Sequence, residues 1–140
     1  MISRVFALAF VVLLAMPAVA HHPFSAEYDW KQPVTVTGTV SKLDWANPHA
    51  HLYVDAKDAE GRTKNWNFEL GGLNALTTAG WSKTVVRMGD TVVIDAWLSK
   101  SQGNLANLKS VKLPDGRELS GASSIADPNA VQTDPKGKAD

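Results

Sequence analysis

From Pro33 onward, apolar and polar residues alternate with a period of two. Val34, Val36 and Val40 interleave with Thr35, Thr37, Thr39 and Ser41, and Gly38 interrupts the apolar side. This is the pattern of a strand with one buried face, and a glycine inside it marks a bend or bulge of the kind a small barrel needs to close. Leu43 and Trp45 carry apolar side chains on the opposite parity, so the strand is expected to coil between two sides. After the break at Asn47-Pro48, a second strand over 49–57 turns Ala50, Leu52, Val54 and Ala56 one way and His49, His51, Tyr53 and Asp55 the other. A hairpin loop from Asp58 to Gly61 leads to a third strand over 63–70. It places Trp66, Phe68 and Leu70 opposite Asn65, Asn67 and Glu69.

Gly71-Gly72 ends this run. Residues 73–79 form two short helical turns with Leu73 and Leu76 inward, Gly80 stops them, and Trp81 follows as a plug. The turn Met88-Gly89-Asp90 opens a fourth strand over 91–100, with Val92, Ile94, Ala96 and Leu98 on one side. A fifth strand covers 105–113. Its apolar parity changes between Leu108 and Val111, which predicts a bulge near Lys109 and Ser110, and Pro114-Asp115-Gly116 closes it.

The order β-β-β-α-β-β predicts an all-β fold, a small five-stranded barrel with one short helix, like the oligonucleotide/oligosaccharide-binding (OB) barrel. An immunoglobulin-like sandwich would need about seven strands. The barrel is expected over 33–119, closing around Val36, Val40, Leu52, Val54, Trp66, Phe68, Ile94 and Leu98. Residues 21–32 have no clear period and read as a flexible N-terminal arm carrying Phe24, Tyr28 and Trp30. Residues 120–140 hold almost no large apolar side chain to offset the entropy of ordering, so they read as a disordered tail, dispensable from Ser120 onward.

The first twenty residues have a different purpose. Arg4 gives a basic start, Val5 to Met16 is unbroken apolar sequence too short to span a bilayer, and Ala18 and Ala20 are the small residues of a secretory cleavage site. Cleavage after Ala20 leaves a periplasmic or secreted chain that begins His21-His22, with no membrane anchor. Losing Arg4 leaves 13 basic side chains against 14 acidic ones, a net charge of −1. With no cluster of Lys or Arg, this balance argues against nucleic acid as a partner. The absence of cysteine excludes disulfides, thiolate zinc sites, iron–sulfur clusters and thiol catalysis.

Several motifs resemble a family of exported bacterial proteins catalogued as domain of unknown function 6152. They are His21-His22-Pro23-Phe24 with Glu27-Tyr28-Asp29, Val36-Thr37-Gly38-Thr39-Val40, Trp45-Ala46-Asn47-Pro48-His49, Asn65-Trp66-Asn67-Phe68-Glu69, Gly80-Trp81, Gly89-Asp90 and Leu113-Pro114-Asp115-Gly116-Arg117. The likeness runs over about residues 21–119 and implies an exported β-rich domain, with no established activity.

The chemistry that stands out is nitrogen. All four histidines fall between positions 21 and 51. His49 and His51 leave one face of a strand with Cβ atoms about 7 Å apart, and Asp55 shares that face as a ligand or an acceptor that orients an imidazole. A mature terminus at His21 adds an amine and an imidazole on one residue, with His22 beside it. Such donors suit copper first, then zinc or nickel, and because they must be deprotonated, binding would weaken in acid. The plainer reading is that His49, His51, Tyr53 and Asp55 are the solvent face of an amphipathic strand. A second functional reading uses Trp30, Trp45, Tyr53 and Trp97 as a platform for a carbohydrate, peptide or periplasmic protein partner, although most tryptophans of a small domain pack its core. No phosphate loop, nucleophile elbow, dinucleotide-binding glycine triplet or zinc-protease helix is present. The sequence therefore points to a binding module rather than an enzyme.

Overall fold

The computed structural model describes residues 24–101 and 103–123. The expected cleavage site, His21, His22 and most of the expected tail lie outside these residues. The element order is α1 (Phe24–Glu27), β1 (Tyr28–Asp44), β2 (His51–Lys57), β3 (Thr63–Glu69), α2 (Leu73–Thr78), β4 (Thr91–Ser99), β5 (Leu105–Lys112) and β6 (Glu118–Ser120). The sheet runs β3-β2-β1-β4-β5-β6, and a parallel β3–β5 pairing closes five of the strands into a ring. The fold is the expected OB-like barrel, extended by a sixth strand and a second helical turn.

The first strand does the coiling. Residues 33–39 pair with β4 and residues 39–44 with β2, so Thr39 faces Asp55 on one side and Thr91 on the other. The crossover brings the two backbones close at Gly38, where a methyl group would run into the Asp55 carbonyl oxygen and Val54 Cγ1. Just beyond, the register skips Ser41 between Val40 and Lys42. That bulge is the physical cause of the parity switch to Leu43 and Trp45, which are half-buried against the core. A second bulge lies in β5, where Asp95 faces Ser110 and Ala96 faces Leu108, leaving Lys109 unmatched at the expected place.

The core fills the ring with Val36, Val40, Leu52, Val54, Phe68, Ile94, Leu108 and Val111, and Leu76 of α2 and Trp81 plug one end. Trp66 is half-buried against this cluster and stacks on Phe68, with ring centroids 5.7 Å apart. Leu98 departs from the expected core. The alternation of β4 lapses at its end, so that Leu98 is half-buried while the next residue, Ser99, is buried. Ser99 is held there by polar partners, its hydroxyl donating to the Glu27 carbonyl at 3.2 Å.

Both ends of the domain reach further than the sequence pattern implied. Tyr28, placed in a flexible arm, is only 2% exposed and pairs with Ser99 of β4. The Lys100 amide also donates to the Glu27 carbonyl at 2.8 Å. At the other end, β3 covers only Leu105 to Asn107 of the β5 edge, and β6 takes up that edge at Ser110 to Lys112. Leu119 is buried, and Ser120 and Gly121 make backbone bonds beyond the expected boundary. The chain is short of partners for β5 without them, which is why these residues fold although they lack bulk.

Candidate functional site

The outward faces of β2 and β3 form a ladder of polar pairs, His51 opposite Glu69, Tyr53 opposite Asn67 and Asp55 opposite Asn65. The strand geometry places the histidines beside carbonyl and carboxylate oxygens. His49 Nδ1 lies 3.0 Å from the Leu70 carbonyl oxygen and 3.6 Å from Glu69 Oε1. A carbonyl can only accept, so the His49 ring donates from Nδ1. His51 Nδ1 likewise meets Asn67 Oδ1 at 2.9 Å. Each neutral ring then carries its lone pair on Nε2, the tautomer that an oxygen accepting from Nδ1 imposes on a metal-binding histidine.

Glu69 is the hub. Its other oxygen accepts a 2.6 Å hydrogen bond from the Tyr28 hydroxyl, 41 residues away in sequence. Phe24 stacks on Tyr28 and meets the edge of Trp97, so the first described turn of the chain is strapped across the site. Between this strap and the sheet lies a cleft of about 460 Å³, bounded by Glu27, Tyr28, His51, Asn67, Glu69 and Lys100. It opens beside the β2–β3 face and the β4–β5 loop, the region that OB barrels use for ligands.

Burial, and then the hydrogen bond to Glu69, push the Tyr28 hydroxyl well above the ordinary tyrosine range. A folded-state value above the unfolded one means that the contribution of Tyr28 to stability is complete below about pH 10 and is lost as the pH rises beyond it, where the unfolded chain ionises first. Tyr28→Phe is therefore expected to flatten the loss of stability above about pH 10, measured as the urea midpoint against pH. At neutral pH the same variant should cost roughly 1–3 kcal/mol, because Glu69 loses its donor. An alkaline profile identical to that of the parent would count against the Tyr28–Glu69 bond.

The other expected residues are spread out. Asp55 sits four residues beyond His51, about 13 Å along the strand, and accepts from Asn65 Nδ2 at 2.7 Å. Asn65 also donates to Ser41, so Asp55 belongs to a separate cluster. Tyr53 lies beneath Lys42, whose Nζ is 5.2 Å from the ring centroid, and beside His51 at 6.4 Å between rings. Trp97 is flanked by Phe24 and by Lys109 Nζ, Trp30 is 44% exposed with Lys31 over its ring, and Trp45 packs on the core. Among the described residues, no ring contact joins Trp30, Trp45, Tyr53 and Trp97 to one another. Among the described residues, no three His, Asp or Glu side chains come together as a set that could hold a metal ion. His51 of β2 and His49, which precedes the strand rather than opening it as expected, supply two donors, and His21 and His22 lie outside the described residues.

Sequence reasoning did not place Tyr28, Asn67 or Glu69 beside the histidines. The hairpin loop contained a signal for two of them, since pairing Lys57 with Thr63 sets His51 against Glu69. Among the described residues no helix is long and apolar enough to cross a membrane.

A sequence profile described as a family of unknown function (DUF6152) matches residues 8–108. No curated protein matches the chain. Among solved structures, the chain is similar to the mitochondrial single-stranded DNA binding protein Rim1 of S. cerevisiae, with 14% identity and a TM-score of 0.46 over 59% of this chain and 93% of that one. A likeness this distant assigns no ligand here. The exclusion of nucleic acid drawn from the sequence is withdrawn, because it rested on the net charge and on the lack of a Lys or Arg cluster along the chain. A barrel can hold a single strand through local stacking and a short charged groove, and neither registers in the overall charge.

Proposed function

This chain belongs to the family of unknown function DUF6152, and from its site we propose an exported binding module that holds a copper or zinc ion at the β2–β3 face. The observation that carries the reading is the anchoring of His49 and His51 through Nδ1, to the Leu70 carbonyl and to Asn67, with His51 beside the cleft that the N-terminal strap borders. Anchored rings of this kind present Nε2 at a fixed angle, so little ordering remains to be done when an ion arrives.

Two imidazoles alone make a weak site. The remaining donors come from the mature terminus. Export is supported by Arg4, the apolar run Val5–Met16 and the Ala18/Ala20 pair, and cleavage after Ala20 frees the His21 amine. Residues 26–28 already border the same cleft as His51. His21 is three residues before Phe24, within about 10 Å of chain reach. Terminal amine, His21 imidazole, His49 and His51 would give the nitrogen-rich set that ranks copper above zinc.

The test is calorimetric titration of the mature protein, beginning at His21, with Cu(II) and Zn(II). His51→Ala and His49→Ala are each expected to weaken Cu(II) binding by about tenfold or more, and Asn67→Leu, which only unseats the His51 ring, by about tenfold. One extra residue before His21 should weaken it too, by separating the amine from its imidazole. Equal affinity across the parent and the three side-chain variants would place the metal on the terminus alone and end the proposal.

A further inference from the structure

The opposite mouth of the barrel breaks the pattern of its own strand. The inward positions of β3 are Lys64, Trp66, Phe68 and Leu70, so a lysine stands where the alternation calls for an apolar side chain. Lys64 is half-buried, and it faces Ala56 of β2 in register. A charge on the core side costs desolvation, and a sequence that breaks its own pattern in this way usually does so for function.

A hollow of about 300 Å³ lies at this mouth. Val34, Val36 and Ala56 give it an apolar lining, and Trp66 forms one wall, backed by the stack on Phe68. Lys57, Lys64 and Asn104 stand at its rim with Asp58. Asp58 is already engaged within the hairpin turn, where it accepts from the Glu60 and Arg62 amides at 3.0 and 2.8 Å and from Arg62 Nε at 2.9 Å. Lys57 Nζ donates to Thr63 Oγ1 at 2.7 Å, and two lysines against that one carboxylate leave the rim net positive. Barrel mouths are common ligand positions, and this volume is at the small end of the range for such sites.

We propose that this mouth binds a small organic anion with a flat apolar body, of the aromatic carboxylate class. Its ring would lie along Trp66 over the valine floor, and its carboxylate would face Lys64 and Lys57. The site is separate from the histidine face and does not depend on a metal. An inward lysine can also serve only to keep a strand edge from pairing with another chain, and the experiment separates the two roles.

Nitrogen-15 NMR titration of the parent protein with 2-naphthoate and with neutral 2-naphthalenemethanol provides the test. Saturable shifts are expected at residues 34–37, 56–58, 64–66 and 104, with the naphthoate bound about fivefold more tightly than the alcohol. Lys64→Gln should abolish that preference while leaving the melting temperature nearly unchanged, and Lys57→Gln should reduce it. Absence of saturable shifts in the parent would overturn the proposal. So would shifts centred elsewhere, or a Lys64→Gln protein that self-associates yet binds naphthoate as well as the parent.

Discussion

Phe68→Ala is expected to lower the melting temperature by on the order of 20 °C, from a loss of about 3–5 kcal/mol in a domain where each kcal/mol is worth roughly 4–8 °C. Phe68 is fully buried, and its neighbours explain the size of the effect. It faces Leu52 of β2 and Ala106 of β5 in register, so it sits where the ring closes. That closure consists of three register pairs, Asn67 with Leu105, Phe68 with Ala106 and Glu69 with Asn107. Removing the ring leaves a cavity at the narrowest joint of the barrel and deprives Trp66 of the surface it stacks on. Thermal unfolding followed by near-ultraviolet circular dichroism checks it. A fall of less than about 5 °C would mean that the closure relaxes freely and that the joint is not a point of tight packing.

Truncation after Leu119 is expected to cost roughly 3–6 kcal/mol, whereas truncation after Ser123 should leave stability unchanged. The difference comes from three bonds made by two small residues. The Ser120 carbonyl accepts from Trp81 Nε1 at 2.8 Å. The Gly121 carbonyl accepts from the Gly71 amide at 2.8 Å, and the Gly121 amide donates to the Lys109 carbonyl at 2.9 Å. Trp81 and Gly71 are both buried in the folded domain, and each would lose its acceptor, at about 1–3 kcal/mol apiece. Gly121 also lies so close to Leu108 that a side chain there would strike the Leu108 carbonyl oxygen. Comparison of the two truncated proteins by urea unfolding decides the matter. Equal midpoints would mean that these bonds are not kept in solution.

The second prediction shows where reading by apolar content fails. Residues 120–122 are a serine, a glycine and an alanine, and they hold through backbone bonds rather than buried bulk, with glycine required at 121 by the nearness of Leu108. Tyr28 failed for a related reason. The segment around it has no period because it does not run as a regular ladder: its pairing jumps from Tyr28–Ser99 to Pro33–Trp97, and Asp29 holds the intervening loop through the Lys31 amide and Gln32.

The sequence alone determined which residues form each strand of the ring, which of their faces turn inward, and where the strands bend. Period-two alternation is a local property set by the pleat, and an amphipathic strand has only one way to bury its apolar side. For the same reason it set His49 and His51 on one face of their segment and Asn67 and Glu69 on one face of theirs, while the pairing that joins those faces came from the structure. Only the tertiary structure decided that Tyr28 reaches Glu69, that Asp55 belongs to a different cluster, and that a lysine faces the far mouth of the barrel. Those facts depend on the closure of a ring through pairs 38 positions apart, and on a hydrogen bond that spans 41. Local pattern carries no information about such distances, because they are set by how the twisted sheet curls and which edges are left to pair.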